Sequence, residues 1–201
     1  MGSREVKKLT KQQKDILIGK LLGDGFLEHN GKYSRLKIDH SFKQKDYVFW
    51  LYRKFDPFVA GKPYQIKYFD KRTNKFYYHW RFSTKSLLLF EKWRNRFYLN
   101  KRKIIPSDIS KLLISPLSLA VWYMDDGYKR RDCKGLYLYT SAYTSKEQNL
   151  LQKVLLKNFG IETKIHYAAG QARIYIPAKY SFIFFNKIKK YIIPIFSYKL
   201  P

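Results

Sequence analysis

Two aspartates, Asp24 and Asp126, each stand one residue before a glycine at the end of an apolar run. The runs read L-I-G-K-L-L-G-D-G over 17–25 and L-A-V-W-Y-M-D-D-G over 119–127. They lie about half a chain length apart. If the two runs are helices packed side by side, the acids meet at the end of the pair. Two carboxylates forced together repel, and one stays protonated unless a cation lies between them. Hard oxygen donors beside a phosphate-bearing substrate suit Mg²⁺, which could activate water and stabilise a leaving phosphodiester oxygen. Asp125 joins Asp126 at a helix C-terminus, which already carries partial negative charge. That end therefore needs compensation, and a bound cation is the simplest source. Either motif alone would be read as a capped core helix. Two copies, with the acid at the same position in each, reverse that reading.

Two lysines follow the same rhythm. Lys103 lies in K-I-I-P and Lys199 in K-L-P, each after the last helix of its half. They could stabilise charge near scissile phosphates or orient water, although a basic connector alone needs no function. His29, His40, His79 and His166 lack metal-ligand spacing, which argues against zinc. Cys133 is the single cysteine, so neither a disulfide framework nor a cysteine zinc site is expected.

The elements that position these groups follow from caps and periodicity. Thr10 and Gln13 form a capping-box start, and Gly25 should close the first helix. Ser115 and Pro116 open the second motif helix, and Gly127 should close it. Gly19 and Gly23 would let a partner backbone approach closely. Between the motifs, apolar–polar alternation predicts strands over 26–30 and 34–41, joined at Asn30-Gly31. Helices are expected over 43–55 and 84–99, and a hairpin of strands 64–69 and 76–83 across a turn at 71–75. Tyr78, Trp80 and Phe82 should face inward. The second half repeats the order, with a strand over 136–141, a helix over 144–159, a hairpin of 163–167 and 172–176, and a helix over 178–193. The expected fold class is α+β, an αββαββα unit duplicated as a pseudo-dimer rather than a solenoid. The halves should span 8–100 and 115–201, joined by a basic linker at 101–114.

Bulk composition points the same way. Formal charge is +26, from 41 Lys+Arg against 15 Asp+Glu, so the natural partner is a polyanion, and nucleic acid fits best. The charge is spread along the chain, which favours a folded basic surface over a tail. No run approaches the ~20 apolar residues of a membrane span. No signal-peptide pattern opens the chain. Met1, Gly2 and Ser3 read as an added leader. Candidate DNA contacts are the outward strand positions. In the first half these are Glu28, Asn30, Arg35, Lys37, Asp39, Gln65, Lys67, His79 and Arg81. In the second they are Arg130, Tyr137, Tyr139, Lys164, Arg173 and Tyr175. A two-stranded ribbon fits the major groove, where such side chains reach base edges.

The paired motifs resemble those of LAGLIDADG homing endonucleases of the single-chain, two-motif kind. The stretch from I-I-P through S-P-L-S-L-A-V-W-Y-M-D-D-G and the ending Y-K-L-P look like the organellar intron-encoded branch. The resemblance implies motif helices at a pseudo-two-fold interface and two saddle-shaped antiparallel sheets on double-stranded DNA. It implies cleavage of both strands at a long asymmetric site by a monomer, leaving short 3′ overhangs. Two or more Mg²⁺ ions, with Mn²⁺ as substitute, would be held by Asp24 and Asp126, with the carbonyls of Gly23 and Asp125 assisting. Lys103 and Lys199 match the family's basic active-site positions. A mitochondrial or chloroplast origin follows from the same branch. Lys20, Val121 and Asp125 depart from the small or apolar residues of the motif. Two other readings stand beside this one: an intron-RNA maturase with the same fold, and a non-catalytic DNA-binding regulator.

Overall fold

The computed structural model describes residues 8–168 and 170–201. The expected leader at Met1, Gly2 and Ser3 lies outside the described residues. The first half runs α1 (Lys11–Leu22), β1 (Phe26–Asn30), β2 (Tyr33–Ser41), α2 (Lys45–Lys54), β3 (Tyr64–Asp70), β4 (Lys75–Ser83) and α3 (Leu88–Phe97). A connector follows, with β5 (Tyr98–Leu99), β6 (Arg102–Lys103) and α4 (Ile109–Leu112). The second half runs α5 (Pro116–Asp126), β7 (Gly127–Lys129), β8 (Leu136–Tyr139), α6 (Ser145–Phe159), β9 (Lys164–Ala168), β10 (Gln171–Ile176) and α7 (Ala178–Ile188). Each half is thus αββαββα, as expected. The two four-stranded antiparallel sheets have matching orders, β1-β2-β4-β3 and β7-β8-β10-β9.

Local signals explain most boundaries. Thr10 and Gln13 form the reciprocal capping box, with Gln13 N donating to Thr10 Oγ1 at 3.1 Å and Thr10 N to Gln13 Oε1 at 3.0 Å. Ser115 Oγ accepts from Leu117 N at 3.2 Å, with Pro116 in the first turn of α5. Thr144 and Glu147 repeat the box on α6, which Gly160 ends in the left-handed region at φ 69°. Some boundaries moved. Helix α3 starts at Leu88, because Thr84 and Leu87 are taken by bridges to Val59 and Ser34. Helix α7 gives way to tight 3₁₀ turns beyond Ile188. The connector folds back as β5–β6 through Asn100 and Lys101, both at positive φ, and this returns Lys103 toward the end of α1.

The core is continuous across both halves. Residues Ile16 to Leu22 and Leu117 to Met124 are all buried, so both motif helices are enclosed on every side over these stretches, with Lys20 the one charged residue among them. They pack against each other with almost no space. A Cβ on Gly19 would lie 2.5 Å from Ser118 O and 2.6 Å from Val121 Cβ. Cross-half polar ties reinforce the contact. Ser118 Oγ donates to Asp15 O at 2.8 Å, and Tyr143 OH to Leu22 O at 2.9 Å.

Candidate active site

The ends of α1 and α5 converge, and they are built differently. Asp126 is the last residue of α5, and Gly127 caps it as expected. Helix α1 stops earlier than expected, at Leu22 with Gly23 as cap. Gly25 N turns back to Lys20 O at 2.7 Å, so the glycine expected to end the helix closes the turn after it. Asp24 therefore lies beyond the helix, with its side chain 52% exposed. Asp126 is more enclosed. Burial pushes its carboxyl up to about 8, and the charges of Asp24 and then Asp125 add to the effect.

The compensation expected at these helix ends comes from three lysines. Lys103 Nζ donates to Gly23 O at 2.7 Å and Gly25 O at 2.8 Å. Lys199 Nζ donates to Met124 O at 2.7 Å, with Tyr123 O at 3.3 Å and Asp125 O at 3.5 Å. Each lysine closes the motif helix of its own half, where a cation opposes the helix dipole. The Gly23 and Asp125 carbonyls, expected to assist a metal, are thus engaged by ammonium groups. Burial pushes Lys103 down to about 8 and lowers Lys199 as well, while the nearby aspartates act the other way.

The third lysine, Lys20, is wholly buried. Its Nζ lies 2.8 Å from Asp125 Oδ2 and 2.9 Å from Oδ1, across the interface between the halves. It also donates to His40 Nε2 at 2.8 Å. Burial, then the Lys20 charge, pushes His40 down to about 3, so the ring is neutral. Asp24, His40 and Asp125 offer potential ligand atoms within 4.8 Å of one another. Lys20 already supplies the cation that Asp125 and His40 face, which leaves Asp24 as the exposed carboxylate of the three. Sequence reasoning counted His40 only among the histidines without metal-ligand spacing and saw no role for it. It passed over Tyr47, whose OH donates to Asp125 Oδ1 at 2.9 Å. No local pattern marks either partner.

The sheets place most of the expected DNA contacts on their open faces. In the first sheet, Glu28 pairs with Arg35, Lys37 with Phe26 and Ser83, and Asp39 with Arg81, so these side chains share one face. Asn30 lies on it beside Tyr33, and His79 opposite Ser41. Gln65 and Lys67 do not. They pair with Trp80 and Tyr78 and point to the opposite face, where Lys67 Nζ sits 4.1 Å from the Phe76 ring centroid. The reason is the turn. Asp70 pairs with Lys75, leaving a four-residue turn rather than the five expected, and a one-residue slip exchanges the faces. The open-face positions of β3 are Tyr64, Ile66 and Tyr68. Tyr78, expected inward, keeps that face but is 47% exposed, because the hairpin tip runs past the helices. In the second sheet Tyr137, Tyr139, Arg173, Tyr175 and Lys164 share the open face, joined by His166 and Tyr128. Arg130 lies over the Tyr137 ring at 5.5 Å. A cleft of about 550 Å³ runs from Asp126 and Lys199 to Tyr128 and Tyr139, connecting the helix ends to this face.

Comparison with known proteins decides the family. The sequence matches the LAGLIDADG DNA endonuclease family over residues 14–184. The chain belongs to that family. It is 32% identical over 197 residues to a probable intron-encoded endonuclease of Wickerhamomyces canadensis, covering 96% of this chain and 85% of that protein. It is 31% identical over 204 residues to the cytochrome b mRNA maturase bI2 of Debaryomyces hansenii, covering 96% and 75%. Its fold matches the homing endonuclease I-WcaI, solved bound to its DNA recognition sequence, with TM-score 0.89 and 29% identity over 100% of this chain and 95% of that one.

The departures from the LAGLIDADG motif are accounted for by contacts across the two helices. Lys20 of the first motif and Asp125 of the second are the two partners of one ion pair. Val121 fills the space that Gly19 leaves empty. The helices keep their close crossing despite the larger side chains.

Proposed function

We propose that this LAGLIDADG protein is a site-specific endonuclease that hydrolyses one phosphodiester in each strand of a long, asymmetric DNA target with divalent metal, leaving short 3′ overhangs. The observation that carries the reading is the convergence of the helix ends that bear Asp24 and Asp126, closed by Lys103 and Lys199, beside a cleft that leads from Asp126 and Lys199 to the open face of the second sheet. The donor set fits Mg²⁺ or Mn²⁺: an exposed carboxylate stands at the end of one helix and, at the end of the other, one whose carboxyl is raised by burial and by the neighbouring aspartates, a strain that a cation would relieve. Asp24 and Asp126 would hold the divalent ions, each acid serving the cut in one strand. A bound divalent ion supplies charge stabilisation for the phosphate and a more acidic water.

The chain's own groups do the positioning. The first sheet supplies Arg35 and Lys37 held by Glu28, and Arg81 and His79 held by Asp39. The second supplies Lys164 and Arg173 among tyrosines. An ammonium has three N–H donors. Lys103 spends two on the Gly23 and Gly25 carbonyls, which leaves one for a phosphate oxygen or the attacking water. Two unlike halves in one chain allow a monomer to read two unlike half-sites. The relatives support an origin within an organellar intron.

The test is cleavage of a randomised duplex library with Mg²⁺, followed by sequencing of the cut molecules. A recovered consensus cut in both strands supports the reading. A tightly bound duplex that is never cut overturns it. The Debaryomyces relative, named as a maturase, supports a second reading in which the basic surface acts on intron RNA. Tighter binding to folded intron RNA than to any duplex would favour that one.

A further inference from the structure

The two acids at the helix ends are held by different means, and the difference has a chemical consequence. Asp126 is inside α5, so the helix fixes its backbone. Asp24 lies past the end of α1, and its N–H has left the helical ladder. That N–H donates across the interface to Asp125 Oδ2 at 3.0 Å. Asp125 is itself immobilised. Its side chain is wholly buried; Oδ1 accepts from Lys20 Nζ at 2.9 Å and Tyr47 OH at 2.9 Å, and Oδ2 faces Lys20 Nζ at 2.8 Å. With four donor contacts on two oxygens, this carboxylate has no lone pair facing open solvent.

The arrangement occurs once. The motif position that holds Asp125 in the second half holds Gly23 in the first. A Cβ on Gly23 would lie 2.5 Å from Asp125 Oδ2, so the missing side chain is what lets the carboxylate reach the Asp24 backbone. Asp126 receives no equivalent side chain from α1.

We propose that Lys20 and Asp125 form a one-sided positioning pair: the carboxylate of one half, neutralised by the ammonium of the other, sets the backbone of Asp24 alone. This rests on the reading of Asp24 and Asp126 as the metal-holding acids. The consequence is unequal dependence of the two strand cleavages on the pair. The cut that relies on Asp24 needs it, and the cut that relies on Asp126 does not. Asp125 acts through Asp24 and touches no reacting atom.

Two variants and two measurements test the proposal. Asp125→Asn keeps the shape and removes the charge. Lys20→Met with Asp125→Ala removes the pair without leaving either charge buried alone. The first measurement follows each strand of an end-labelled duplex, taken from the library selection, with Mg²⁺. In both variants one strand should be cut at least tenfold more slowly and the other within about twofold of wild type, so that nicked DNA accumulates. Equal slowing of both strands overturns the proposal. Failure of the wild type to cut any duplex is a failure of the endonuclease reading, and the second measurement stands without it. That measurement is amide exchange in the metal-free protein. The Asp24 amide should be protected in the wild type and exchange at least tenfold faster in the double variant, with Leu119 and Val121 unchanged. An Asp24 amide that exchanges equally fast in both proteins overturns the proposal. If the double variant does not fold, both measurements are read on Asp125→Asn.

Discussion

Lys20 Nζ lies 2.8 Å from Asp125 Oδ2, both side chains without exposure, at the junction of the two motif helices. Removing one partner of such a pair leaves an uncompensated buried charge, which costs roughly 3–5 kcal/mol. Lys20→Met alone should therefore lower stability by about that amount in urea unfolding without metal. Lys20→Met combined with Asp125→Asn should recover most of the loss. A single variant within 1 kcal/mol of wild type, by the rough uncertainty of such measurements, would show that the pair carries little weight.

Stability without metal should fall as pH rises from about 6.5 to 8; below 6.5 His40, pushed down to about 3, contributes an opposite slope that offsets the Asp126 effect. Unfolded Asp126 loses its proton near the ordinary carboxyl value of 3.8, whereas the folded group keeps it up to about 8. Between those limits the folded group binds more protons, so its contribution to the slope of stability against pH is negative. Lys103, pushed down to about 8, contributes the opposite slope only above that pH. Asp126→Asn should flatten the fall between about pH 6.5 and 8 and leave the metal-free protein more stable than wild type at pH 8. Urea titrations across this range check the sign.

Added Mg²⁺ or Mn²⁺ should raise the unfolding midpoint at pH 8, because a ligand that binds only the folded state stabilises it. The gain should be much smaller in Asp24→Asn and Asp126→Asn. The same variants should bind the selected duplex with wild-type affinity and lose the cut that the altered acid serves. Undiminished cleavage by either would remove that acid from the catalytic pair.

The two sheets should divide the work of recognition. The open face of the first sheet carries carboxylates that hold its cations in place. Burial alone would raise Asp39, but the Arg81 and His79 bonds outweigh it and hold the carboxyl below its usual range. The strands of the second sheet contain no Asp or Glu among their described residues. Arg81→Ala should relax base preference at one position by ~1–3 kcal/mol. Arg173→Ala or Lys164→Ala should instead weaken all duplexes alike and reduce the salt slope by about 1. Site selection with each variant, repeated at two salt concentrations, separates the outcomes.

Tyr68 and Ile66, on the open face of β3, should affect site choice, whereas Gln65 on the opposite face should not. Selecting cleavable sites with Tyr68→Ala and Gln65→Ala tests the register directly. A shifted consensus for Gln65→Ala, with none for Tyr68→Ala, would contradict it.

Much of the molecule was legible from short stretches. The capping box at Thr10, the glycines of the motifs and the strand alternation all act within a few residues. They specify αββαββα twice with little help from distant contacts. The repeated Asp-Gly endings pointed to the junction of α1 and α5, and the spacing of Gly19 and Gly23 to its closeness. Two things needed the tertiary structure. One is the β3–β4 register, where a turn of four residues instead of five exchanges Gln65 and Lys67 for Ile66 and Tyr68. The other is the charge balance beneath the acids. Lys20 meets Asp125, His40 and Tyr47 from four different elements, and no local pattern brings them together. Sequence alone identified the acids and the need for positive charge around them. Burial decided that the protein's own lysines supply much of it, because helices crossing this closely leave the Asp125 carboxylate no solvent to turn to.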